Sequence, residues 1–353
     1  RVGVTVVGSN HSVAPKGEEI SAMTSLKSIG AAAIAGVLLS AGYAAAETKL
    51  RFVGQFGPTD PKAPMEDALV KRLEANPKLD IKIDHLNRDV LKVKSADGFR
   101  LVKSQTFDLM SIQIGHASRD DAFFEGLDLI GVSTNMDDLR VAVNAYRDVF
   151  NERLAAKFGS KALALWPFGT QVFYCNHPIK NLGDLKGLKV RSFTPSMSEL
   201  LKYLGATPVT LQFAEVYPAL QRGVASCGVT SPTSGNGGKW PEVTTHQLPV
   251  SVAGSVQGHV INLKKWNEFS DAEKAILEEE FLKFEDQLWD AAISLNGDAI
   301  NCNTGREPCG TKHAKFNMTL VEVSDADKAK VKEAVNAVVL PTWAKKCNSI
   351  YPK

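Results

Sequence analysis

The chain repeats an alternation of short apolar strands and amphipathic helices, and this order constrains its fold more than any other feature. In the first repeat, strand patterns at residues 50–55, 79–84 and 107–112 are separated by helical patterns at 63–74 and 99–104. Strands that alternate with helices are typical of a parallel sheet covered by helices on its faces. The first part of the chain therefore predicts an α/β domain.

A similar alternation fills the middle of the chain. Its strand patterns lie at residues 163–166, 171–174, 188–191 and 225–230, and its helical patterns at 196–204 and 213–222. With 353 residues, the chain exceeds one ordinary domain of about 100–200 residues. We therefore predict two α/β lobes around a cleft. One lobe comprises residues 47–168 plus about 257–296, and the other comprises 169–256 plus about 297–353.

A long helical pattern follows from residue 270. Ser270 and Glu273 match a capping box, and apolar residues recur at steps of three and four as far as Ala299. About 30 helical residues extend about 45 Å, which is more than one lobe of this size covers. We expect this helix to lie across both lobes, and a further helix over 324–339 to end before Pro341.

An export signal precedes the first strand. Lys27 is followed by the uncharged stretch 29–39, which is too short to cross a bilayer, and by the small residues Ala44-Ala45-Ala46. This pattern predicts a signal peptide at 23–46, cleaved after Ala46, in preference to a buried Ala-rich helix. Residues 1–22 are then an upstream, non-native extension, and the mature protein works in an oxidising compartment.

Charge and composition exclude several classes of function. The chain has 41 Lys and Arg against 39 Asp and Glu, so no basic field favours nucleic acid. After the signal, no run of about 18 apolar residues predicts a membrane span. The seven His are scattered without HExxH or CxxC spacing, so we predict neither metal nor cofactor. We expect a monomer.

Five cysteines leave at least one of them unpaired within the chain. Cys302 and Cys309 enclose a short polar stretch with Gly and Pro, which suits a small loop staple. Cys175 and Cys227 each lie beside an apolar strand pattern and are candidates to meet across neighbouring strands. Spacing proves neither pair, so both stay candidate disulfides, with Cys347 left over.

Three blocks in the central segment carry a family resemblance. Residues 178–191 read P-I-K-N-L-G-D-L-K-G-L-K-V-R, residues 205–208 read G-A-T-P, and residues 215–224 read E-V-Y-P-A-L-Q-R-G-V. Their order and spacing resemble the substrate-binding proteins of tripartite ATP-independent periplasmic (TRAP) transporters, the dicarboxylate-binding DctP-like family. The resemblance covers residues from about 50 to 345 and is more specific than a single short motif.

The resemblance implies a two-lobed periplasmic binding protein, without catalysis, that closes on a small carboxylate. It also implies delivery to a TRAP membrane permease in the periplasm of a Gram-negative bacterium. Two other functions stay open: a sensor that presents its ligand to a membrane receptor on the same fold and, with less support, a periplasmic hydrolase. Sensor and transport proteins share the cleft, whereas no nucleophile motif of a hydrolase is evident.

In the family, the Arg that ends the K-x-R strand holds the ligand carboxylate, and that position is Arg191. A planar guanidinium offers two parallel N–H donors that match a carboxylate. Many members carry a second Arg on the preceding strand, where this chain has Gln171. Because Gln supplies hydrogen bonds but no charge, we expect a monocarboxylate with a polar or apolar tail.

The other candidates for ligand contact are Gln55, Phe168, Phe193, Glu215, Thr230 and Ser231. Ser231 stands at or near the usual ligand-contacting Asn of the family, and Gln55 ends a strand where an open sheet places ligand contacts. Phe168 and Phe193 are predicted apolar walls. Glu215 matches a family position, although a helix start favours an acidic residue without any ligand. Four aromatic alternatives are more often core residues: Trp166, Tyr174, Phe213 and Trp240.

Overall fold

A computed structural model describes residues 47–57 and 60–350, so the predicted extension and signal peptide lie outside the described residues. The strands are β1 (Thr48–Gly54), β2 (Ile81–Asn87), β3 (Leu109–Gln113), β4 (Ser160–Pro167), β5 (Val172–Cys175), β6 (Lys189–Ser192), β7 (Thr207–Thr210), β8 (Cys227–Thr230), β9 (His246–Leu248), β10 (Val256–Asn262) and β11 (Thr319–Leu320). The α-helices are α1 (Ala63–Glu74), α2 (Arg88–Leu91), α3 (Gly98–Lys103), α4 (Met136–Phe158), α5 (Pro195–Tyr203), α6 (Phe213–Gln221), α7 (Pro232–Gly237), α8 (Leu263–Trp266), α9 (Asp271–Thr304), α10 (Asp325–Ala334) and α11 (Leu340–Ile350).

The strands form two sheets, which confirms the predicted α/β class. The first sheet has the order β2-β1-β3-β10-β4, and the second has the order β11-β9-β5-β8-β6-β7. Neither sheet is purely parallel, so that part of the prediction is wrong. In the first sheet β10 runs antiparallel to β3 and β4, and in the second β5 runs antiparallel to β8 and β9. The chain passes from the first sheet to the second after β4, and it returns to the first sheet as β10, which runs antiparallel to β3 and β4.

Both candidate disulfides are present. The register of β5 and β8 places Cys175 directly opposite Cys227, with their Cα atoms 4.1 Å apart. Cys302 and Cys309 close a short loop at the end of α9, and Cys347 is the free cysteine of the described residues. The predicted pairing is therefore confirmed in both cases.

The long helix α9 packs against both sheets, as the sequence predicts. Its 34 residues follow the N-cap Ser270 and precede the C-cap Gly305, which has a φ of 69°. Trp289 Nε1 donates to the carbonyl of Leu165 in β4 at 3.0 Å, and Asn303 Nδ2 donates to the hydroxyl of Tyr174 in β5 at 2.8 Å. The helix thus links the first sheet to the second. None of the described helices has the length and apolar composition that crossing a lipid bilayer requires.

The predicted helix end before Pro341 is wrong. A π-helical turn at Val335–Val339 joins α10 to α11, and Pro341 lies inside α11. A proline lacks the N–H and its ring crowds the carbonyl four residues earlier, and a wider π turn just before it relieves that conflict. Trp343 Nε1 donates to the carbonyl of Ala122 at 2.8 Å, so tertiary packing holds the continued helix in place.

Candidate functional site

Arg191 lies near the end of β6 and is only 5 % exposed. Its Nη1 donates to the carbonyl of Val229 at 2.7 Å, and its Nε donates to the carbonyl of Leu211 at 3.2 Å. The guanidinium carbon lies 4.7 Å from the centre of the Phe193 ring and 5.9 Å from that of Trp240. Two carbonyls and two aromatic rings therefore hold Arg191 in one orientation.

No described carboxylate forms a salt bridge with Arg191, and burial lowers the pKa of its guanidinium to about 9. A buried cation without a counter-charge is costly. A guanidinium has five N–H donors, and the two carbonyls use only some of them. The site can therefore accept an anion that supplies both charge and acceptor oxygens.

Polar groups of the second sheet lie at the adjoining ends of β5 and β8, where Val172 pairs with Thr230. Gln171 is buried, and its Nε2 donates to the carbonyl of Gly169 at 2.9 Å. The Ser231 hydroxyl is occupied, because it caps α7 by accepting from Ser234 N at 3.2 Å and donates to Ser234 Oγ at 2.8 Å. Thr233 Oγ1, by contrast, is buried without a hydrogen-bond partner. Thr233 thus offers a free hydroxyl where Ser231 does not.

Asn296 of α9 connects this region to the first sheet, and sequence reasoning missed it. Its Oδ1 accepts from Thr233 N at 3.4 Å, and its Nδ2 donates to the carbonyl of Phe168 at 3.2 Å. A Cβ at Gly169, whose φ is 119°, would lie 1.8 Å from the Asn296 amide nitrogen. The only sequence signal was an amide within the apolar stripe of a helix.

The first sheet contributes aromatic and polar groups from the ends of β1 and β4. Phe168 packs edge-on against Trp166 with ring centres 5.2 Å apart, and Phe56 lies 5.2 Å from the same tryptophan. Gln55 is buried, and its Oε1 accepts from Arg88 Nη1 at 2.7 Å. Gln55 and Phe168 therefore lie at strand ends, next to the aromatic group around Trp166.

A family model described as bacterial extracellular solute-binding protein, family 7, matches residues 140–346. This match covers more than half of the 353 residues. The chain belongs to this family.

Curated relatives of the family 7 protein match over part of their length. The sialic acid-binding periplasmic protein SiaP of Vibrio cholerae is 29% identical over 146 residues, which are 38% of this chain and 42% of SiaP. The ectoine/5-hydroxyectoine-binding protein UehA of Ruegeria pomeroyi is 28% identical over 210 residues, 58% of this chain and 60% of UehA. These alignments span less than two thirds of either relative.

Solved structures share the fold over nearly their whole length. The Bordetella pertussis extracytoplasmic solute receptor DctP7, which binds pyroglutamic acid, is 17% identical with a TM-score of 0.74 and covers 87% of this chain and 100% of its own. A TRAP solute-binding protein of Pseudomonas aeruginosa with bound L-malate is 18% identical with a TM-score of 0.71, covering 84% and 99%. This chain therefore shares the fold of these two solved structures.

The structure also shows the surroundings of three further predicted ligand contacts in this family 7 protein: Glu215, Thr230 and Phe193. Glu215 is exposed, and its Oε2 accepts from Gln212 N at 2.7 Å to cap α6. That bond accounts for Glu215 without a ligand. Thr230 is buried at the end of β8, and Phe193 is buried beneath the Arg191 guanidinium.

A 3-10 segment at Ile114–Arg119 brings His116 towards Arg191. A Cβ at Gly115 would lie 2.9 Å from Thr194 Cγ2, so this segment touches the chain just after β6. Burial, and then the charges of Arg191, Arg119 and Arg88, lower the pKa of His116 to about 4. His116 is therefore neutral near pH 7, in a strongly positive neighbourhood.

We expect His116→Gln to make the stability of the family 7 protein less sensitive to acid. The imidazole pKa is about 6.5 in the unfolded chain and about 4 in the fold. The unfolded state therefore binds more protons between these values, and stability falls by about 3 kcal/mol as pH falls through that window. Urea unfolding at pH 7 and pH 4.5 measures the difference.

The matched control is His177→Gln, at an exposed histidine. It should keep the pH dependence of the wild type, because it leaves the imidazole of His116 in place. Equal acid sensitivity of the His116→Gln variant and the wild type would contradict the neutral state of His116.

Proposed function

We propose that this family 7 protein captures a small organic acid between its two sheets and delivers it to the membrane permease of a TRAP transporter. The observation that carries the proposal is Arg191, a buried guanidinium without a carboxylate partner among the described residues. A ligand carboxylate would supply the missing charge and accept two parallel N–H bonds. The proposed location is the periplasm of a Gram-negative bacterium.

The relatives and neighbours support an acid as the ligand. Their names and titles include sialic acid, C4-dicarboxylates, pyroglutamate, L-malate and galacturonate. These compounds share a carboxylate but differ in the rest of the molecule. Family membership itself supports binding without catalysis. The proposal therefore specifies a carboxylate at one end of the ligand, and the remaining lining residues determine which chemical groups the other end can carry.

We propose lobe closure as the mechanism. The proposed lobes are residues 47–168 plus about 257–296 and residues 169–256 plus about 297–353. A ligand on Arg191 favours the closed state when it also contacts groups of the first sheet. Asn296 supports this arrangement, because its amide bonds Phe168 at the end of β4 and Thr233 in α7. α9 then bends or rotates slightly as the lobes approach.

A thermal-shift panel tests the function. We expect at least one of pyroglutamate, orotate, L-malate and galacturonate, the acids named for the neighbours, to raise the melting temperature. A ligand at 100 times its Kd adds about 2.7 kcal/mol of stability. Pyroglutamide, which lacks the carboxylate, is the control for pyroglutamate. No stabilisation by any of the four acids, and no heat of binding by calorimetry, would refute the proposed function.

A further inference from the structure

We propose that Lys62 is a second cationic anchor of the binding site and that the ligand presents an acceptor oxygen to it. This inference rests on the proposed function. It places one anchor on each sheet: Arg191 on the second and Lys62 beside the first. The positive charge that Gln171 does not supply is then provided by a residue far away in the sequence.

Lys62 is buried in an aromatic setting. Its side chain is 2 % exposed. Nζ lies 5.2 Å from the centre of the Phe56 ring and 5.9 Å from that of Phe168. A lysine amine is strongly hydrated and normally reaches solvent, so full burial at the end of a long side chain needs compensation. Two ring faces offer part of it.

The polar compensation within the described residues comes from one carboxylate oxygen. Asp60 Oδ1 lies 3.1 Å from Lys62 Nζ and also accepts from Lys62 N at 2.8 Å. An ammonium has three N–H donors, and no other hydrogen bond or salt bridge to Lys62 Nζ occurs among the described residues. Asp60 itself is 26 % exposed. Among the described residues, the amine therefore has N–H donors without an acceptor, and its burial keeps it away from bulk water.

Contacts connect Lys62 to the region of Arg191. Phe168, which faces the amine, shares the Asn296 amide with Thr233 of α7. Thr233 follows shortly after β8, and Val229 of β8 holds the Arg191 guanidinium by its carbonyl. A series of contacts through Phe168, Asn296 and Thr233 therefore leads from the surroundings of Lys62 to those of Arg191. An acid held at one end by Arg191 and at the other by Lys62 would bridge them.

The alternative role of Lys62 is purely structural, as an ion pair at the start of α1. Lys62 is the N-cap residue of that helix, and its side chain makes no capping bond. A structural pair and a ligand anchor differ in what Asp60 does. In a structural pair, Asp60 stabilises the fold, whereas beside an anion its charge opposes ligand binding. The two roles therefore predict opposite effects of removing the aspartate charge.

Three variants separate these roles: Lys62→Met, Asp60→Asn and the control Lys186→Met at an exposed lysine. Asn retains an oxygen that can accept from Lys62 N. Calorimetry uses L-malate and pyroglutamate. For an acid that the wild type binds, we expect Lys62→Met to weaken affinity about tenfold or more. Asp60→Asn should strengthen it about threefold or more, and Lys186→Met should leave it unchanged.

The outcomes distinguish this inference from the proposed function. If Lys62→Met and Asp60→Asn only lower the melting temperature while Kd stays unchanged, Lys62 is structural and the inference fails. Loss of binding by an Arg191 variant in the same series would still support the function. Weaker binding by Asp60→Asn also overturns the inference, and this variant decides if Lys62→Met does not fold. Lack of binding of both acids by the wild type refutes the two-anchor site for them.

Discussion

Arg191→Gln is expected to lower the affinity for the captured acid about a hundredfold or more. The guanidinium is buried and meets no carboxylate in the described protein, so the ligand would be its counter-charge. Removing one partner of a buried charge pair costs about 3–5 kcal/mol, and about 1.4 kcal/mol corresponds to a factor of ten. Isothermal calorimetry with the best acid of the thermal-shift panel measures this loss.

The fold should tolerate the change. Glutamine keeps amide donors that can serve one of the carbonyls of Val229 and Leu211, and the empty protein loses an uncompensated charge. The Arg191→Lys variant separates charge from geometry, since it keeps the charge without the planar fork; we expect an intermediate affinity. Arg222→Gln, at an exposed arginine, is the control. Native affinity or an unfolded protein after Arg191→Gln would contradict the assignment.

Replacing Cys175 and Cys227 together by alanine should lower the free energy of unfolding by about 4 kcal/mol. The two cysteines are 52 residues apart, and the stabilisation by a cross-link in the chain-entropy account grows with the length of the loop it closes. The pair Cys302 and Cys309 is 7 residues apart, so its removal should cost only about 2 kcal/mol. Urea unfolding of the two double variants measures both values.

Reduction provides an independent check on the same pairs. Cys175 and Cys227 are fully buried, whereas Cys309 is partly exposed. A mild thiol reductant added to the folded protein should therefore open the Cys302–Cys309 bond first, as mass spectrometry after alkylation would show. Equal costs of the two double variants, or earlier reduction of the buried pair, would contradict the different roles that loop length and burial predict.

Strong periodicity made parts of the fold predictable. α1 spans Ala63–Glu74 as the helical pattern indicated, and α9 begins after the predicted capping box. β10 was missed because all seven of its residues are buried, so its sequence does not alternate. It also contains His259, whose Nδ1 accepts from Trp166 Nε1 at 3.0 Å. From the sequence alone, a polar residue that is buried with a hydrogen-bond partner cannot be distinguished from a polar residue in a loop.

The site was predictable only where a motif defined it. Arg191 followed from the family resemblance of three blocks in the same order, and in the structure it is buried without a carboxylate partner among the described residues. Lys62 could not be recognised from sequence as a candidate site residue. It lies in a Pro-containing turn, and its contact with Phe168 joins positions more than a hundred residues apart. Asn296 was hidden in a helix stripe assigned to the core. Both depend on contacts between elements that are distant along the chain.

The position of β10 has a consequence for how the chain acquires its fold. β10 lies between β3 and β4 in the first sheet, although it follows the second-sheet strands β5 to β9 in sequence. A chain that emerges from its N-terminus cannot complete the first sheet until residues 256–262 are available. Such an order delays the completion of the first sheet until most of the polypeptide has been made, so the early strands stay without their final neighbour during synthesis.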